Sequence, residues 1–200
     1  MAKLKIVLAT RNRDKIKEIK NVFKDMDIEF LTLDDFKGFP EVIEDGKTLL
    51  ENALKKAREI SKFFNMPALS DDTGLEVEYL GGAPGVYSAR YAGENATYED
   101  NVNKLLKELE GVEWDKRKAV FKTIVALVFP DGREFVAEGA NEGHITTEKI
   151  GTEGFGYDPI FYVDEKGKTY AEMSLEEKNS ISHRARALIN LKKIIESELF

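Results

Sequence analysis

The chain has no cysteine, only two histidines, one tryptophan and five prolines among its 200 residues. Without cysteine there are no disulfides, no thiolate metal sites and no cysteine nucleophile. The two histidines, His144 and His183, lie too far apart in sequence for a zincin helix, and no Gly-x-Ser-x-Gly elbow occurs, which disfavours a zinc enzyme or a serine hydrolase. No stretch approaches the ~20 apolar residues of a membrane span. The first ten residues are too short in apolar character for a signal segment and break into Arg11-Asn-Arg-Asp14, so a cytoplasmic setting is expected. A surplus of positive charge is also missing: 37 acidic against 30 basic residues give a net charge of -7. That balance lacks the footprint of a nucleic-acid polymer binder, and points to a small anionic ligand held by a local basic pocket.

What is present is a chain 42% hydrophobic, enough for one sizeable core, with no repeat and no Pro/Gly-rich linker. Leu4 to Ala9 reads as a buried strand, and Ile16, Ile19, Val22 and Phe23 follow at helical spacing. The loop between them, Thr10 to Lys15, would bring backbone N–H groups and cationic side chains to a helix N-terminus, a favourable seat for phosphate. A second strand is expected over Ile28 to Leu31. Thr48-Leu-Leu-Glu51 has capping-box form, and Leu50, Ala53, Leu54, Ala57, Ile60 and Phe64 continue an apolar face. That helix feeds a strand at Ala68 to Ser70, which is expected to end in an acidic loop, Asp71-Asp-Thr-Gly74.

Thr97-Tyr-Glu-Asp100 starts another helix, reaching about Leu109. Ala119 to Phe129 and Glu134 to Asn141 read as a hairpin turned by Pro130-Asp-Gly132. Ser174-Leu-Glu-Glu177 caps a short turn, and Ser180 or Ser182 opens a last helix carrying Ala185, Leu188, Ile189, Leu191 and Ile195. Strand–helix units beside a hairpin imply an α/β fold with a mixed sheet.

Two nucleotide signatures fail on inspection. Gly46-Lys-Thr48 imitates the end of a P-loop, but Glu41 stands at the required glycine, and Pro159 occupies the third glycine position after Gly154-Phe-Gly156. Side chains alternate along a strand, so only one of Asp71 and Asp72 faces a metal unless the backbone twists. Asp72 is chosen as the central carboxylate and Glu44 as a second ligand, because magnesium takes few carboxylates and fills its octahedron with phosphate oxygens and water. Lys15, closing a polar loop after a buried strand, is the lysine best separated from the surface background. Phe155 and Tyr157, between glycines and Asp158-Pro159, suggest an exposed turn where a ring stacks on a base. His183 and Arg184 sit in the first turn of the last helix, where a cation opposes the dipole unless an anion or carbonyl offsets it.

These residues, in order along nearly the whole chain, resemble the inosine triphosphatase family of non-standard purine nucleoside triphosphate pyrophosphatases (XTP/dITP diphosphatases). The resemblance is carried by Leu8-Ala-Thr-Arg-Asn12 with Lys15, Glu51-Asn-Ala53 with Lys56, Ser70-Asp-Asp-Thr-Gly-Leu75, Gly81-Gly-Ala-Pro-Gly85 with Tyr87-Ser-Ala-Arg90, Gly154-Phe-Gly-Tyr-Asp-Pro159 and Ser182-His-Arg184. It implies an α/β fold with a long mixed β-sheet flanked by helices, a single domain over residues 1–200 in two lobes with the active-site cleft between them, and a homodimer. It further implies magnesium-dependent cleavage of ITP, dITP or XTP to a nucleoside monophosphate and pyrophosphate. Carried over by position, Thr10, Arg11, Asn12, Arg13, Asp14, Lys15, Lys56 and Lys178 are phosphate contacts. Glu44 and Asp72 are metal-associated, with Asp72 as proton acceptor. Thr73, Phe155, Gly156, Tyr157, Asp158, His183 and Arg184 are substrate contacts, the later ones around the base. Two other readings are a pyrophosphatase for modified pyrimidine or 7-methylated nucleotides, and a sensor that binds without hydrolysis.

Overall fold

The structure, a computed structural model, describes residues 3–39 and 41–199. The chain opens with β1 (Leu4–Leu8), α1 (Arg13–Val22) and β2 (Ile28–Thr32), followed by α2 (Leu49–Phe64) and β3 (Ala68–Val77). Next come the two-residue strand β4 (Pro84–Gly85), α3 (Tyr98–Glu108), and the long strands β5 (Lys118–Val128) and β6 (Glu134–Ile145). The short strands β7 (Phe161–Val163) and β8 (Lys168–Thr169) precede α4 (Leu175–Ile181) and α5 (His183–Leu199). Among the described residues no helix is long and apolar enough to cross a membrane.

The strands form one eight-stranded sheet in the order β2-β1-β3-β5-β6-β7-β8, with β4 paired to β3. β1 runs parallel to both β2 and β3, with Leu4 opposite Ile28 and Val7 opposite Ala68, whereas β3–β4, β6–β7 and β7–β8 are antiparallel. The sheet is therefore mixed, as expected from strand–helix units beside a hairpin. The expected caps are in place. Thr48 and Glu51 form a capping box on α2, Thr97 and Asp100 one on α3, and Ser174 caps α4 through Glu177 N–H. Leu50 and Ile189, read as inward-facing, are instead exposed, because each lies at the margin of its helix's apolar stripe.

Contacts divide the chain into two compact units. The first holds the described residues up to Asp72, Thr123–Gly139 and those from Arg184 onward; the second holds Thr73–Lys122 and Ala140–His183. β3, β5 and β6 each contribute residues to both. In the first unit the period-two alternation of the strands sorts side chains onto two faces. Ile6, Leu8 and Leu69 pack with Ile19 of α1 and Leu188 and Leu191 of α5, while Val7 and Ala68 pack with Ile60 of α2. The core of the second unit gathers Leu75, Val77, Leu105, Phe121, Ile160, Phe161 and Tyr170.

β3 corrects one expectation. The strand does not stop at Ser70 but continues through Asp71-Asp-Thr-Gly74 to Val77, and both aspartates are buried. Charged residues are tolerated inside a strand here because each finds cations on the helix it faces, which local sequence does not reveal.

Candidate active site

Within the first unit the chain order reverses about β1: β2 lies on one side and β3 on the other. The carboxyl ends of strands at such a switch point are where open α/β sheets bind ligands. Ala9 N–H donates to the Leu69 carbonyl at 2.8 Å, so the segment after β1 lies beside Ser70 to Asp72. Asn12 caps α1, its Oδ1 accepting from the backbone N–H of Asp14 and Lys15 at 3.0 and 3.2 Å, and Thr10 Oγ1 accepts from Asn12 N–H at 3.1 Å. Arg11 and Arg13 are exposed, and the Arg11 guanidinium lies 4.2 Å from the centre of the Phe39 ring.

Alternation along β3 assigns its two aspartates to different helices. Ser70 and Asp72 face α2: Ser70 Oγ donates to the Ala53 carbonyl at 2.5 Å, and Asp72 Oδ2 accepts from Asn52 Nδ2 at 3.1 Å. Asn52 is itself held by Gly46, whose N–H donates to Asn52 Oδ1 at 2.8 Å. A Cβ at Gly46 would stand 2.5 Å from that oxygen, so only glycine permits the approach. Lys56, one turn along α2, has its ammonium 3.0 Å from Glu44 Oε2, 3.6 Å from Asp72 Oδ1 and 2.7 Å from the Asp71 carbonyl. Burial would lower the Lys56 pKa, but Asp72, Glu44 and Asp71 outweigh it and the net shift is upward. Burial raises the Asp72 carboxyl above its usual range despite Lys56 and Lys15, with Glu44 adding to the rise.

Asp71 faces the other way, toward α1 and α5. Its Oδ2 accepts from Lys15 at 3.0 Å and from Arg184 Nε at 3.1 Å, and Arg184 Nη1 donates to Glu18 at 2.5 Å. Burial acts to raise the Asp71 pKa, but Lys15 and Arg184 hold it well below the ordinary carboxylate range. Burial lowers the Lys15 ammonium, with Asp71 opposing. Arg184 thus finds carboxylates where a cation in the first turn of a helix needs them.

In the second unit, Asp158 and Lys178 form a buried pair at 2.6 Å, and Phe155 N–H donates to the same Asp158 oxygen at 2.8 Å. At Gly154, with φ +73°, a Cβ would fall 2.1 Å from that oxygen, so glycine here leaves room for the carboxylate. The Lys178 ammonium lies 4.7 Å from the Phe155 ring centre and 5.6 Å from that of Tyr170. His183 is buried and stacks on Phe121, centroids 4.2 Å apart at 7°. Phe155 is partly exposed, but Tyr157 is not in an exposed turn. It is buried in the core, its hydroxyl donating to the Ser88 carbonyl at 2.8 Å. The flanking glycines suggested a loop, and the ring folds inward because Phe121 offers it an edge contact. Gly156 adopts φ +61° beside it, and Thr73 is half-buried on β3.

Three side chains of these clusters carried no assignment from sequence. Asn52 lies between Glu51 and Ala53 with no pattern of its own to mark it. Glu18 follows Lys15 at i+3 on one helix face, a spacing that could have exposed it. Asp71 is overshadowed in sequence by its neighbour Asp72, although alternation implies that it serves a second helix.

Asp72 and Glu44 converge on one ammonium, and the Glu44 side chain is 38% exposed. Among the described residues no three acidic or imidazole groups form a ready cage. Glu44, partly open to solvent beside the buried Asp72, would suit a magnesium ion that takes its remaining oxygens from phosphate and water.

An open α/β sheet with a carboxylate–lysine cluster at its switch point is the class that fold and geometry define. The chain belongs to the Ham1 family, whose model matches residues 6–194. It is 54% identical over 192 residues to a dITP/XTP pyrophosphatase of Thermoanaerobacter sp. (strain X514), covering 96% of each chain. It is 52% identical over 188 residues to a dITP/XTP pyrophosphatase of Geobacter sulfurreducens, covering 94% of each. Among solved structures it is similar to the Ham1 protein of Staphylococcus aureus, with 41% identity and a TM-score of 0.86, covering 97% of this chain and 99% of that one.

Proposed function

We propose that this protein is a nucleoside-triphosphate pyrophosphatase that hydrolyses deaminated purine nucleotides, dITP, ITP and XTP, to the monophosphate and pyrophosphate, with magnesium as its cofactor. The observation that carries the reading is Asp72, a buried carboxylate of raised pKa between Asn52 and Lys56, in a chain about half identical to dITP/XTP pyrophosphatases over nearly its full length. A carboxylate raised toward working pH is a better proton acceptor than one at its ordinary value. In this reading Asp72 takes the proton of the water that attacks the α-phosphorus. The bond from that phosphorus to the α–β bridging oxygen breaks, and the electron pair leaves with pyrophosphate.

Lys15 and Lys56 stabilise the charge that moves onto the leaving group, as fixed cations do in phosphoryl transfer. Asp72 and Glu44 would hold the metal ion, which when bound neutralises phosphate charge as a Lewis acid. The polar loop Thr10 to Lys15 takes the phosphates, and Thr73, Phe155, Gly156, Asp158 and His183 the nucleoside, with Phe155 as the stacking ring; Lys178, expected among the phosphate contacts, goes with the nucleoside because it pairs with Asp158 beside the Phe155 ring. Lys178 carries donors only, so it satisfies a 6-oxo group and leaves the 6-amino group of adenine facing donors. The homodimer and the cytoplasmic setting belong to the same proposal.

The test is incubation with magnesium and equal amounts of ITP, XTP, GTP and ATP, with nucleotides and pyrophosphate measured separately, and a parallel sample in chelator. Pyrophosphate with IMP and XMP, and little product from ATP or GTP, is expected. Orthophosphate with a diphosphate product would overturn the bond assignment, and full activity in chelator would overturn the metal.

A further inference from the structure

We propose that Asp71 is a positioning residue of the phosphate site, fixing Lys15 from behind, and that Arg184 and Glu18 brace Asp71 in turn. The proposal rests on the reading of Lys15 as a triphosphate contact. One carboxylate oxygen, Asp71 Oδ2, takes both Lys15 Nζ at 3.0 Å and Arg184 Nε at 3.1 Å, and Glu18 Oε2 takes Arg184 Nη1 at 2.5 Å. The series Glu18, Arg184, Asp71, Lys15 alternates in sign and joins α1, α5 and β3. Exposure changes along it. The side chains of Glu18, Arg184 and Asp71 are 4%, 3% and 1% exposed, while Lys15 is 17% exposed. The series is thus most open at its Lys15 end, the side from which a phosphate could approach.

A free lysine must lose considerable rotamer entropy before it can hold a phosphate. One already anchored by Asp71 has lost it on folding, and an ammonium has three donors, so a single bond to Asp71 leaves two for phosphate oxygens. The same aspartate offers its main-chain carbonyl to Lys56 at 2.7 Å, so one residue orients both lysines of the first unit's cluster. Arg184, expected among the base contacts, acts on the substrate through Asp71 and Lys15 in this arrangement.

A merely structural ion pair would tie β3 to the helices without touching Lys15's task, and a double-mutant cycle separates the two. Asp71→Asn, Lys15→Met and the double variant are compared for KM and kcat on dITP, and for binding of a non-hydrolysable inosine triphosphate analogue. Each single variant is expected to weaken analogue binding about tenfold or more, and the double variant no further than Lys15→Met alone. Effects that multiply in the double variant, or a folded Asp71→Asn protein with unchanged binding, would overturn the proposal. Glu18→Gln is the second route should Asp71→Asn fail to fold: a weakening of a few-fold that vanishes in the Lys15→Met background supports the series, and one that persists there refutes it. If the wild-type protein releases no pyrophosphate, the activity reading fails, and the binding cycle still decides the role of Asp71. If Lys15→Met binds the analogue as wild type does, Lys15 is no phosphate contact and the proposal falls.

Discussion

The first unit places Glu18, Glu44, Asp71 and Asp72 among Lys15, Lys56 and Arg184, with Asp71, Lys56 and Arg184 each shared between two oppositely charged partners. Among the described residues of the second unit the buried ion pair is Asp158–Lys178, set against the rings of Phe155 and Tyr170, with His183 stacked on Phe121. The contrast matches the chemistry proposed for each. A triphosphate and its leaving group demand fixed charges whose mutual repulsion must be balanced by neighbours. A flat base demands surface, with one or two donors to orient it. Charge shared over a network also spreads the effect of losing one member, whereas a lone pair concentrates it.

The sharpest way to break this comparison is Asp72→Asn. If Asp72 is the proton acceptor, turnover of dITP falls by about 10²–10⁴-fold in a protein whose circular dichroism is unchanged. Near-normal turnover would remove the chemistry from the first unit. Next is Lys178→Met, which takes the ammonium away from the buried Asp158 carboxylate. A stability loss of about 3–5 kcal/mol is expected from urea unfolding, the cost typical of breaking a buried pair. A loss under about 1 kcal/mol would show that the pair is not the concentrated point described here.

Phe155→Ala should raise KM for dITP, XTP and ITP alike, by the equivalent of about 1–3 kcal/mol, since stacking does not depend on base identity. A change confined to one base would make Phe155 a reader of edges instead. pH tests the network. Asp71 is held below the usual range when folded, so its stabilisation is present above the unfolded value of about 3.9 and is lost as pH falls below it. Urea midpoints in chelator from pH 6 down to 3 should therefore decline less steeply in Asp71→Asn than in wild type, and parallel curves would contradict the shift. A change of similar size to that at Phe155 is expected for Asn52→Ala, but on turnover. Removing one donor to a carboxylate that keeps Lys56 should cost about 1.5–3 kcal/mol at most, visible as a reduced kcat.

Much of the framework was legible because it is written locally. The capping boxes at Thr48/Glu51 and Thr97/Asp100 satisfy backbone groups three residues away, and so they read correctly from the chain alone. The turn at Pro130-Asp-Gly132 and the loop ahead of Lys15 are of the same kind. Tyr157 misled because its glycine neighbours describe backbone freedom and say nothing about Phe121, the ring it meets. The end of β3 misled for a related reason. Two adjacent acids look like a solvated stop unless the lysines and the arginine that face them are known.

The sequence by itself determined the α/β class, the helix starts, the hairpin, the two candidate carboxylates and, through the order of its motifs, the family. These follow from interactions spanning a few residues, or from patterns that survive without coordinates. Only the tertiary structure decided that Asp71 and Asp72 serve opposite faces of one strand, and that Arg184 meets partners 113 and 166 residues away. Such pairings depend on which helix packs on which face of the sheet. Burial makes them strong, and no local spacing encodes it.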